Sequence, residues 1–365
     1  MTLEVLEYTS VADPICEWNK IVEESKDAWI WATHLDYEFR IAVLKASNRF
    51  VCDISFFVAE NGEICGFAPL VMIRSELFDG IQASYDKPLP WPIIKSNVKN
   101  KIKIENYIFD EIEKRVINSG AGMLSLHNSP PNTGGGYLDI SFYQTIRQRG
   151  FIDNSYLSHY LPVTHSSLEI VRPRYKQYAR KLLNNYEFKI IDKHNYNLFP
   201  GLAEEYMELH VKDAGGIYRP IETYTLQVGI VSKSDSFMIQ ARNKAVNKVV
   251  GMLLIYVHKK AAYDASVAVD PDFQNDRVSL LMKWETIKHL QDLGIDHYEL
   301  GPAALSPTFM WQPSEKNYGI SFFKQGWCQG MYKKIFQAEK FYSKKAIESF
   351  WEKKLESLVS YYNLD

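Results

Sequence analysis

The chain has 365 residues, of which 46% are hydrophobic and 24% are charged, and its formal net charge is −2. This length and composition are typical of a soluble globular protein with two or three domains, each large enough for its own core. The near-neutral charge argues against a broad basic platform for nucleic acid, although a local basic groove is compatible with it.

The first residues and the cysteines favour a cytoplasmic protein. Residues 1–10 contain Glu4 and Glu7 and lack an apolar core, so no secretory signal peptide is predicted. The longest apolar run, Val249–Val257, is too short to span a bilayer, so no membrane span is predicted. The four cysteines show no CxxC spacing and are predicted to be reduced. The histidines show neither HxxxH nor HExxH spacing, so no metal site is predicted.

The first half of the chain predicts a mixture of helices and strands. Asp13 and Pro14 are typical of the start of a helix, and Asn61-Gly62 is a strong hairpin signal. Lys87–Ile94 is rich in proline and predicts a rigid aromatic loop. The predicted elements are a strand over 3–8, helices over 13–24 and 36–47, strands over 51–59, 63–73 and 81–85, a helix over 104–117, a strand over 123–127 and a short helix over 142–149.

The second half repeats this order of two helices, an antiparallel hairpin, a loop, a helix and a strand. Both hairpins place a glycine early in a strand that leaves a turn, which indicates a weak internal duplication. The predicted elements are a strand over 156–163, a helical span over 167–185, a strand over 188–192, helices over 197–212 and 218–231, a strand over 236–242, a hairpin over 249–269, a helix over 278–293, a strand over 297–300 and an amphipathic helix over 342–364.

We therefore predict two related α/β (α+β) domains with a cleft between them, where ligand sites are common. The predicted boundaries are 1–155 for an N-terminal domain and 156–335 for a C-terminal, catalytic domain. Residues 336–365 are predicted to form a C-terminal amphipathic helix that packs on the body.

The region from Val249 to Lys324 carries the clearest functional signal. The second strand of its hairpin, the loop that follows, the next helix and the strand over 297–300 form a β-loop-α-β unit. The two strands of this unit should be parallel, with a right-handed crossover. The helix would then begin at the carboxyl end of the first strand, where free N–H groups and the helix dipole favour anions. Residues 270–279 are thus a candidate site for a phosphate-bearing cofactor, and an ordinary α/β connection is the alternative.

A run of basic residues precedes the second half. Its positive side chains crowd a short helical span and lack acidic partners one turn away. They form either a phosphate-contacting patch or a solvated helix face. The candidate ligands for phosphate are Arg172, Arg174, Lys176 and Arg180.

Several segments in this order resemble the FemAB family. They are RPRYKQYARKLLNNYEFKI, ELHVKD followed by GGIY, YDAS, HYELG and GISFFKQGWCQG. The resemblance spans about residues 150–331 and implies two tandem GNAT-like domains, each with a mixed central sheet flanked by helices. It also implies transfer of an acyl or aminoacyl group to an amine. FemAB members use aminoacyl-tRNA to extend peptidoglycan precursors, whereas broader relatives are acyl-CoA N-acyltransferases, some of them in surface-polysaccharide pathways.

The resemblance assigns a cofactor site that departs from the family at one position. GNAT enzymes bind the CoA pyrophosphate with the pattern (Q/R)-x-x-G-x-(G/A), which aligns with Gln274, Arg277 and Ser279 here. Arg277 replaces the glycine that lets the backbone approach phosphate, so its side chain would make that contact instead. Val267 and Val269 complete the predicted cofactor-binding residues, on the strand before the loop.

The catalytic candidates come from the same region. By resemblance, Lys324 of the closing motif would stabilise developing negative charge, and a surface lysine at a strand end is the alternative. Asp264 or Glu299, near the ends of neighbouring strands, would accept the proton of the amine, and salt-bridged structural carboxylates are the alternative. His210 is a further candidate base. Backbone N–H groups around Ala265–Val267 would bind the oxyanion if the parallel strands separate.

Aromatic residues complete the predicted site. The side chains expected to line the acceptor cleft, or else to belong to the core, are Tyr218, Tyr263 and Trp311.

These predictions favour an N-acyltransferase that uses acyl-CoA and modifies an amino group of a cell-envelope or polysaccharide precursor. The predicted acceptor is a small or nucleotide-linked amine. One alternative is an aminoacyl-tRNA-dependent FemAB-type transferase, for which tRNA would be a partner. Another is a non-catalytic binding protein that retains the fold. The sequence leaves the oligomeric state open.

Overall fold

A computed structural model describes residues 2–85, 87–129, 140–217, 219–308 and 310–363. None of its described helices is both long and apolar enough to cross a bilayer. The helices are α1 (Pro14–Glu24), α2 (His34–Ala46), α3 (Lys101–Asn118), α4 (Ile140–Arg149), α5 (Ser167–Ile170), α6 (Pro173–Leu182), α7 (Leu202–Ala214), α8 (Glu222–Lys233), α9 (Val278–Asp292), α10 (Glu315–Cys328) and α11 (Lys344–Tyr361).

The strands are shorter and more numerous in the first half than in the second. They are β1 (Leu3–Glu7), β2 (Phe50–Asp53), β3 (Phe56–Glu60), β4 (Glu63–Ala68), β5 (Val71–Arg74), β6 (Ile81–Ala83), β7 (Leu89–Pro90), β8 (Ile93–Ile94), β9 (Met123–Asn128), β10 (Ile152–Asp153), β11 (Tyr156–Pro162), β12 (Tyr186–Ile191), β13 (Phe237–Asn243), β14 (Lys248–His258), β15 (Ala261–Val269), β16 (His297–Pro302) and β17 (Tyr332–Phe341).

One large mixed sheet runs through both halves. Its order is β12-β13-β14-β15-β16-β11-β17-β9-β6-β5-β2, with β10 beside β17 and β7 beside β9. A second sheet has the order β1-β3-β4-β8. Strand β17 pairs antiparallel with β11 on one side and with β9 on the other, so it joins the two halves.

The predicted β-loop-α-β unit is present as β15, α9 and β16. Strand β14 pairs with β15 and lies at the centre of the core of this half. Alternate residues of β14 face opposite sides of the sheet. Leu253 packs towards Leu281 of α9, whereas Leu254 packs towards Tyr206 of α7. The strand is buried on both faces, which explains its nearly continuous apolar sequence.

Both predicted glycines allow a helix to pack closely on a strand. A Cβ at Gly66 of β4 would lie 2.9 Å from Ile108 Cδ1 of α3, and a Cβ at Gly251 of β14 would lie 2.6 Å from Val278 Cγ1 of α9. In both halves, a glycine at an equivalent place in a strand lets a helix pack closely, as expected for an internal duplication.

Two predicted strands and the predicted C-terminal helix differ most from the structure. The strands predicted over 51–59 and 63–73 are each divided, and their parts belong to different sheets. The hydrogen bond from Ile54 N–H to the Leu70 carbonyl marks the crossing point.

The third difference concerns the C-terminus. The predicted boundary after residue 335 cuts through β17, and the helix expected over 336–365 begins at Lys344. The buried face of α11 contains Ala346 and Phe350, while Leu355 of the same helix is 57% exposed. The division at residue 155 stays a prediction.

Candidate active site

Strands β15 and β16 lie side by side only at their starts. Their parallel pairing covers Ala261–Tyr263 and His297–Glu299, whereas β15 continues to Val269. The two strands therefore separate after Tyr263 and Glu299, and the rest of that edge of β15 has no partner strand in the described chain. This gap, from here on the strand gap, exposes backbone N–H and C=O groups to a ligand.

The register between β14 and β15 shows which backbone groups face the strand gap. The Asp270 N–H donates to the Val250 carbonyl at 2.9 Å, and Gly251 lies opposite Val269. Because the hydrogen-bonding direction alternates along an antiparallel strand, the N–H and C=O groups of Val267 and Val269 point away from β14. Both residues, predicted to bind the cofactor, thus present their backbone to the strand gap.

A β-bulge bends β15 just before these residues. Leu254 lies opposite Ser266 and Ile255 opposite Asp264, which leaves Ala265 without a partner in β14. A bulge increases the local twist and redirects the strand. It therefore accounts for the separation of β15 from β16 at the predicted oxyanion-binding segment.

Helix α9 begins at the carboxyl end of β15. Pro271–Asp276 forms a short 3-10 segment that includes the exposed Gln274, and Arg277 adopts φ 59° and ψ 35° before the helix begins. A positive φ favours glycine. Arg277 thus has the backbone conformation of the glycine that it replaces in the family pattern. Ser279 lies in the first turn, where helix N–H groups lack intrahelical partners.

The loop before α9 is fixed by charge. Asp270 is buried and contacts Lys212 Nζ at 2.5 Å and Lys248 Nζ at 2.7 Å. Burial would raise the pKa of Asp270, but these two ammonium groups lower it to about 2. Lys212 also binds Asp272 at 2.8 Å, which ties α7 to the loop.

Helix α6 brings part of the predicted basic patch to this place. Arg174 and Arg277 both lie against the ring of Tyr178, at 5.4 and 5.7 Å from its centroid. Arg174 Nε also donates to the Tyr178 hydroxyl at 2.9 Å. Two guanidinium groups and an aromatic ring beside a helix N-terminus can bind phosphate and stack on a nucleobase.

The other members of the patch have different neighbours. Arg172 packs over the ring of Phe322 at 4.1 Å, Lys176 donates to the Glu169 carbonyl, and Arg180 is exposed. Arg174 is therefore the member that the fold brings towards Arg277.

Asp264 is held in a buried ion pair. Its Oδ2 accepts a hydrogen bond from Lys283 Nζ of α9, and the two side chains are only 10% and 5% exposed. Lys283 Nζ also lies 3.3 Å from the Tyr298 hydroxyl. This ion pair agrees with the alternative of a salt-bridged structural carboxylate, and the role of Asp264 as base stays a prediction.

Glu299 is also buried but faces a cavity. It accepts a hydrogen bond from Ser158 Oγ at 2.9 Å and from Lys333 Nζ at 3.4 Å. Burial lowers the pKa of Lys333, whereas Glu299 raises it. Unlike Asp264, Glu299 lines a space between the two halves, so a bound amine could reach it.

Lys324 lies within helix α10, which corrects the alternative of a lysine at a strand end. Its side chain is half-buried, and Nζ lies 2.8 Å from the point where a Cβ of Gly301 would be. Nζ has no hydrogen-bond partner within the part of the chain that the structure describes. Burial lowers the pKa of Lys324, opposed by Asp264 and Glu299 and assisted by Lys283. The ammonium group thus lies near both predicted carboxylates.

The remaining predicted residues are dispersed. His210 Nδ1 contacts the Tyr224 hydroxyl at 3.0 Å, and burial lowers the pKa of His210; these contacts place it between α7 and α8. Tyr263 lines the space between the halves at the start of the strand gap. Trp311 lines a neighbouring cavity. Tyr218 lies outside the described residues.

Three adjoining cavities form that space. The middle one, of about 270 Å³, is lined by Trp31 and Arg40 from the first half and by Tyr263 and Glu299 from the second. A cavity of about 440 Å³ shares Trp31, Arg40 and Tyr263 with it. The cavity that Trp311 lines, of about 530 Å³, also adjoins the middle one. Substrate sites commonly occupy clefts of this size between domains.

The first half contributes residues that the sequence analysis missed. Arg40 and Lys87 lie over the ring of Trp31 at 5.7 and 5.5 Å, and Trp31 packs edge-on against Tyr263 with ring centroids 4.7 Å apart. Arg40 also pairs with the buried Asp36 at 3.3 Å. The rigid aromatic loop that starts at Lys87 was the one local signal for this surface.

The family model for the acetyltransferase (GNAT) domain matches residues 242–309. This range contains the hairpin β14–β15, the strand gap, α9 and β16. No curated protein matches the chain.

Several solved structures have a similar fold along nearly the whole chain. FemX is 12% identical, with 98% of this chain and 100% of FemX covered and a TM-score of 0.64. A tandem GNAT protein from the clavulanic acid biosynthesis pathway is 12% identical, with 93% of this chain and 98% of that protein covered and a TM-score of 0.54. The C-terminal domain assigned to a lysylphosphatidylglycerol synthetase of Agrobacterium fabrum is 12% identical, with 94% of this chain and 95% of that domain covered and a TM-score of 0.59.

At these identities the similarity establishes the fold. The predicted pair of GNAT-like domains is confirmed, and the family model lies on the half that contains the strand gap. The chain therefore has the tandem GNAT fold, with a GNAT acetyltransferase domain matched in its second half.

Proposed function

We propose that this protein is an N-acyltransferase, in which the acyl donor binds along the strand gap and the amine acceptor enters through the cavities between the halves. The separation of β15 from β16 at Tyr263 and Glu299 carries this proposal. These two residues border the strand gap and also line the middle cavity. A donor and an acceptor bound on the two sides would meet there.

The chemistry needs three groups. The neutral amine attacks the acyl carbonyl carbon, a C–N bond forms, and the bond to the donor's sulfur or oxygen breaks. The Val267 N–H and the Lys324 ammonium supply positive charge for the oxyanion. Glu299 accepts the proton that the amine loses, since it lines the acceptor cavity.

Acyl-CoA is the donor that we favour. GNAT domains use acyl-CoA, and the matched range includes the start of α9. The helix N-terminus with Arg174 and Arg277 offers positive charge to a pyrophosphate, and Tyr178 offers a ring to the adenine.

Aminoacyl-tRNA is the alternative donor. The fold is similar to those of FemX and of a domain assigned to a lysylphosphatidylglycerol synthetase. Arg277 in place of glycine also removes the closest backbone approach to a pyrophosphate. With this donor the leaving group is a tRNA hydroxyl instead of a thiol.

We propose an amino group of a cell-envelope or polysaccharide precursor as acceptor. The cavities are large enough for a sugar or a peptide, and Arg40 and Lys87 would attract an acceptor that carries phosphate or carboxylate. The cavity at Trp311 is also lined by Leu157, Leu305 and Met310 and suits an apolar part of the same molecule.

The test is a donor and acceptor panel with the purified protein. Acetyl-CoA, longer acyl-CoAs and aminoacyl-tRNA would each be incubated with nucleotide-linked amino sugars and amino-terminal peptides, and release of thiol or of deacylated tRNA would be measured. We expect turnover with one donor class and a large loss of kcat in Glu299→Gln. Binding of a nucleotide sugar without turnover from any donor would instead support a non-catalytic binding protein.

A further inference from the structure

The strand gap is partly occupied by a side chain of the protein itself. Asp213, the penultimate residue of α7, accepts a hydrogen bond from the Val269 N–H at 3.3 Å through Oδ2. The Val269 N–H is one of the groups that face the gap. A carboxylate thus takes the place of a partner strand at this end of β15.

The hydrogen bond from the Val269 N–H places the Asp213 carboxylate at the edge of β15 that faces the gap. Burial raises the pKa of this carboxyl group, while the Val269 N–H, His210 and Lys316 lower it. Lys316 belongs to α10, whereas Val269 belongs to β15. Asp213 therefore lies at the open edge of β15, where a donor arm would run.

Helix stability does not explain this position. An acidic side chain in the last turn of a helix is unfavourable, because the C-terminus of the helix dipole is negative. Asp213 nevertheless occupies the last turn of α7, next to Lys212, which pairs with Asp270 and Asp272. The contact with Val269 is thus the feature that gives Asp213 a role.

We propose that Asp213 is a specificity-determining residue for the donor. The arm of CoA carries two secondary amides, which can pair with an open strand edge as an added strand does. After the bulge at Ala265, this edge offers the backbone of Val267 and Val269. With Asp213 in place the Val269 N–H is not available, so a donor arm whose amide carbonyl accepts from this N–H must displace the carboxylate. This inference rests on the proposed acyl transfer.

Binding measurements on Asp213 variants test the competition. The ligands are CoA and 3′,5′-ADP, which carries phosphates and adenine but no arm. In Asp213→Ala, the CoA Kd should fall about fivefold, as expected for about 1 kcal/mol of hydrogen bonding that no longer has to be broken. The Kd of 3′,5′-ADP should stay unchanged. Asp213→Asn retains an acceptor oxygen and should bind CoA as the wild type does.

Asp272→Ala is the matched control, because it removes the same charge from the neighbouring loop without touching the strand gap. Its effect should be equal on CoA and on 3′,5′-ADP. Hydrogen exchange of the peptide that contains Val269 should become faster in Asp213→Ala, which verifies that the contact is lost. Asp213→Ser replaces the alanine variant if that protein does not fold.

A CoA Kd that is unchanged or higher in Asp213→Ala overturns the inference, and so does an equal change for both ligands. If none of the variants binds CoA, the inference is also wrong, whereas acyl transfer can still be measured with aminoacyl-tRNA. The two failures are therefore distinguishable.

Discussion

Lys324 shows how a single residue links burial to chemistry. An ammonium group that is half-buried and lacks a hydrogen-bond partner among the described residues costs stability, because burial disfavours its charged form. The same isolation strengthens its attraction to negative charge that develops nearby. The charged side chain of Lys324 thus lowers the stability of the fold but would stabilise an oxyanion.

Lys324→Met should lower kcat by about 10²- to 10³-fold, the typical cost of losing one oxyanion-stabilising group. The midpoint of thermal unfolding should not decrease, because methionine fills similar space without a charge. Lys103→Met, at an exposed position of α3, is the matched control and should leave both quantities unchanged. Full activity of Lys324→Met would remove Lys324 from the mechanism.

The pH dependence of Lys324 should have opposite signs for activity and stability. Its folded pKa lies below the ordinary 10.5, so kcat should fall as the pH rises through that lower value. Between the two pKa values the unfolded chain binds more protons than the folded one, so the contribution of Lys324 to the free energy of unfolding rises with pH. Parallel pH profiles of kcat and of denaturant unfolding measure both trends. An alkaline limb that persists unchanged in Lys324→Arg would belong to another group.

At the scale of elements, the contact between β14 and α9 determines where the helix begins. Gly251 lets Val278 and Met282 approach the strand, and the start of α9 is the proposed anion site. The position of that site therefore depends on the absence of one side chain, because a Cβ here would push the first turn of the helix outward.

Gly251→Ala should reduce the free energy of unfolding by about 1–3 kcal/mol, as is usual for overpacking. It should also weaken donor binding. Gly229→Ala is the matched control, because a Cβ at Gly229 in α8 has no atom within 4 Å. That change should stabilise the protein by about 1 kcal/mol through helix propensity. Denaturant unfolding followed by circular dichroism measures both, and equal effects of the two substitutions would contradict the close contact at Gly251.

At the scale of the whole molecule, β17 connects the two halves. It follows α10 of the second half in sequence, yet it pairs with β9 of the first half as well as with β11. Helix α11 then covers Phe78 and Met123 of the first half through Phe350. The cleft between the halves is thus bounded by a continuous sheet.

A chain that ends after Met331 should fail to unfold cooperatively, because β9 and β11 each lose a partner strand. A chain that ends after Ser343 should retain the fold and lose only the contacts of α11. Circular dichroism and thermal unfolding of the two shortened proteins distinguish these outcomes. A cooperative transition in the shorter chain would show that the halves do not need β17.

Local signals determined most of the elements. Asn61 and Gly62 have φ values of 52° and 85°, as a tight hairpin turn requires. The Asp13 side chain caps α1 by accepting from the Cys16 N–H at 3.0 Å. The order of strand, loop, helix and strand around α9 also followed from periodicity. Each of these features depends on residues close in sequence, so the sequence alone predicted them.

The tertiary structure decided the composition of the cleft. Trp31 contacts Tyr263, and Arg40 and Lys87 line the same cavity as Tyr263, only because the two halves pack together, and no spacing in the sequence encodes that arrangement. The ion pair of Asp264 with Lys283 and the position of Lys324 beside Gly301 likewise depend on how helices pack on the sheet. The sequence determined the elements and the fold family, whereas long-range packing decided which charged groups are paired and which remain available for chemistry.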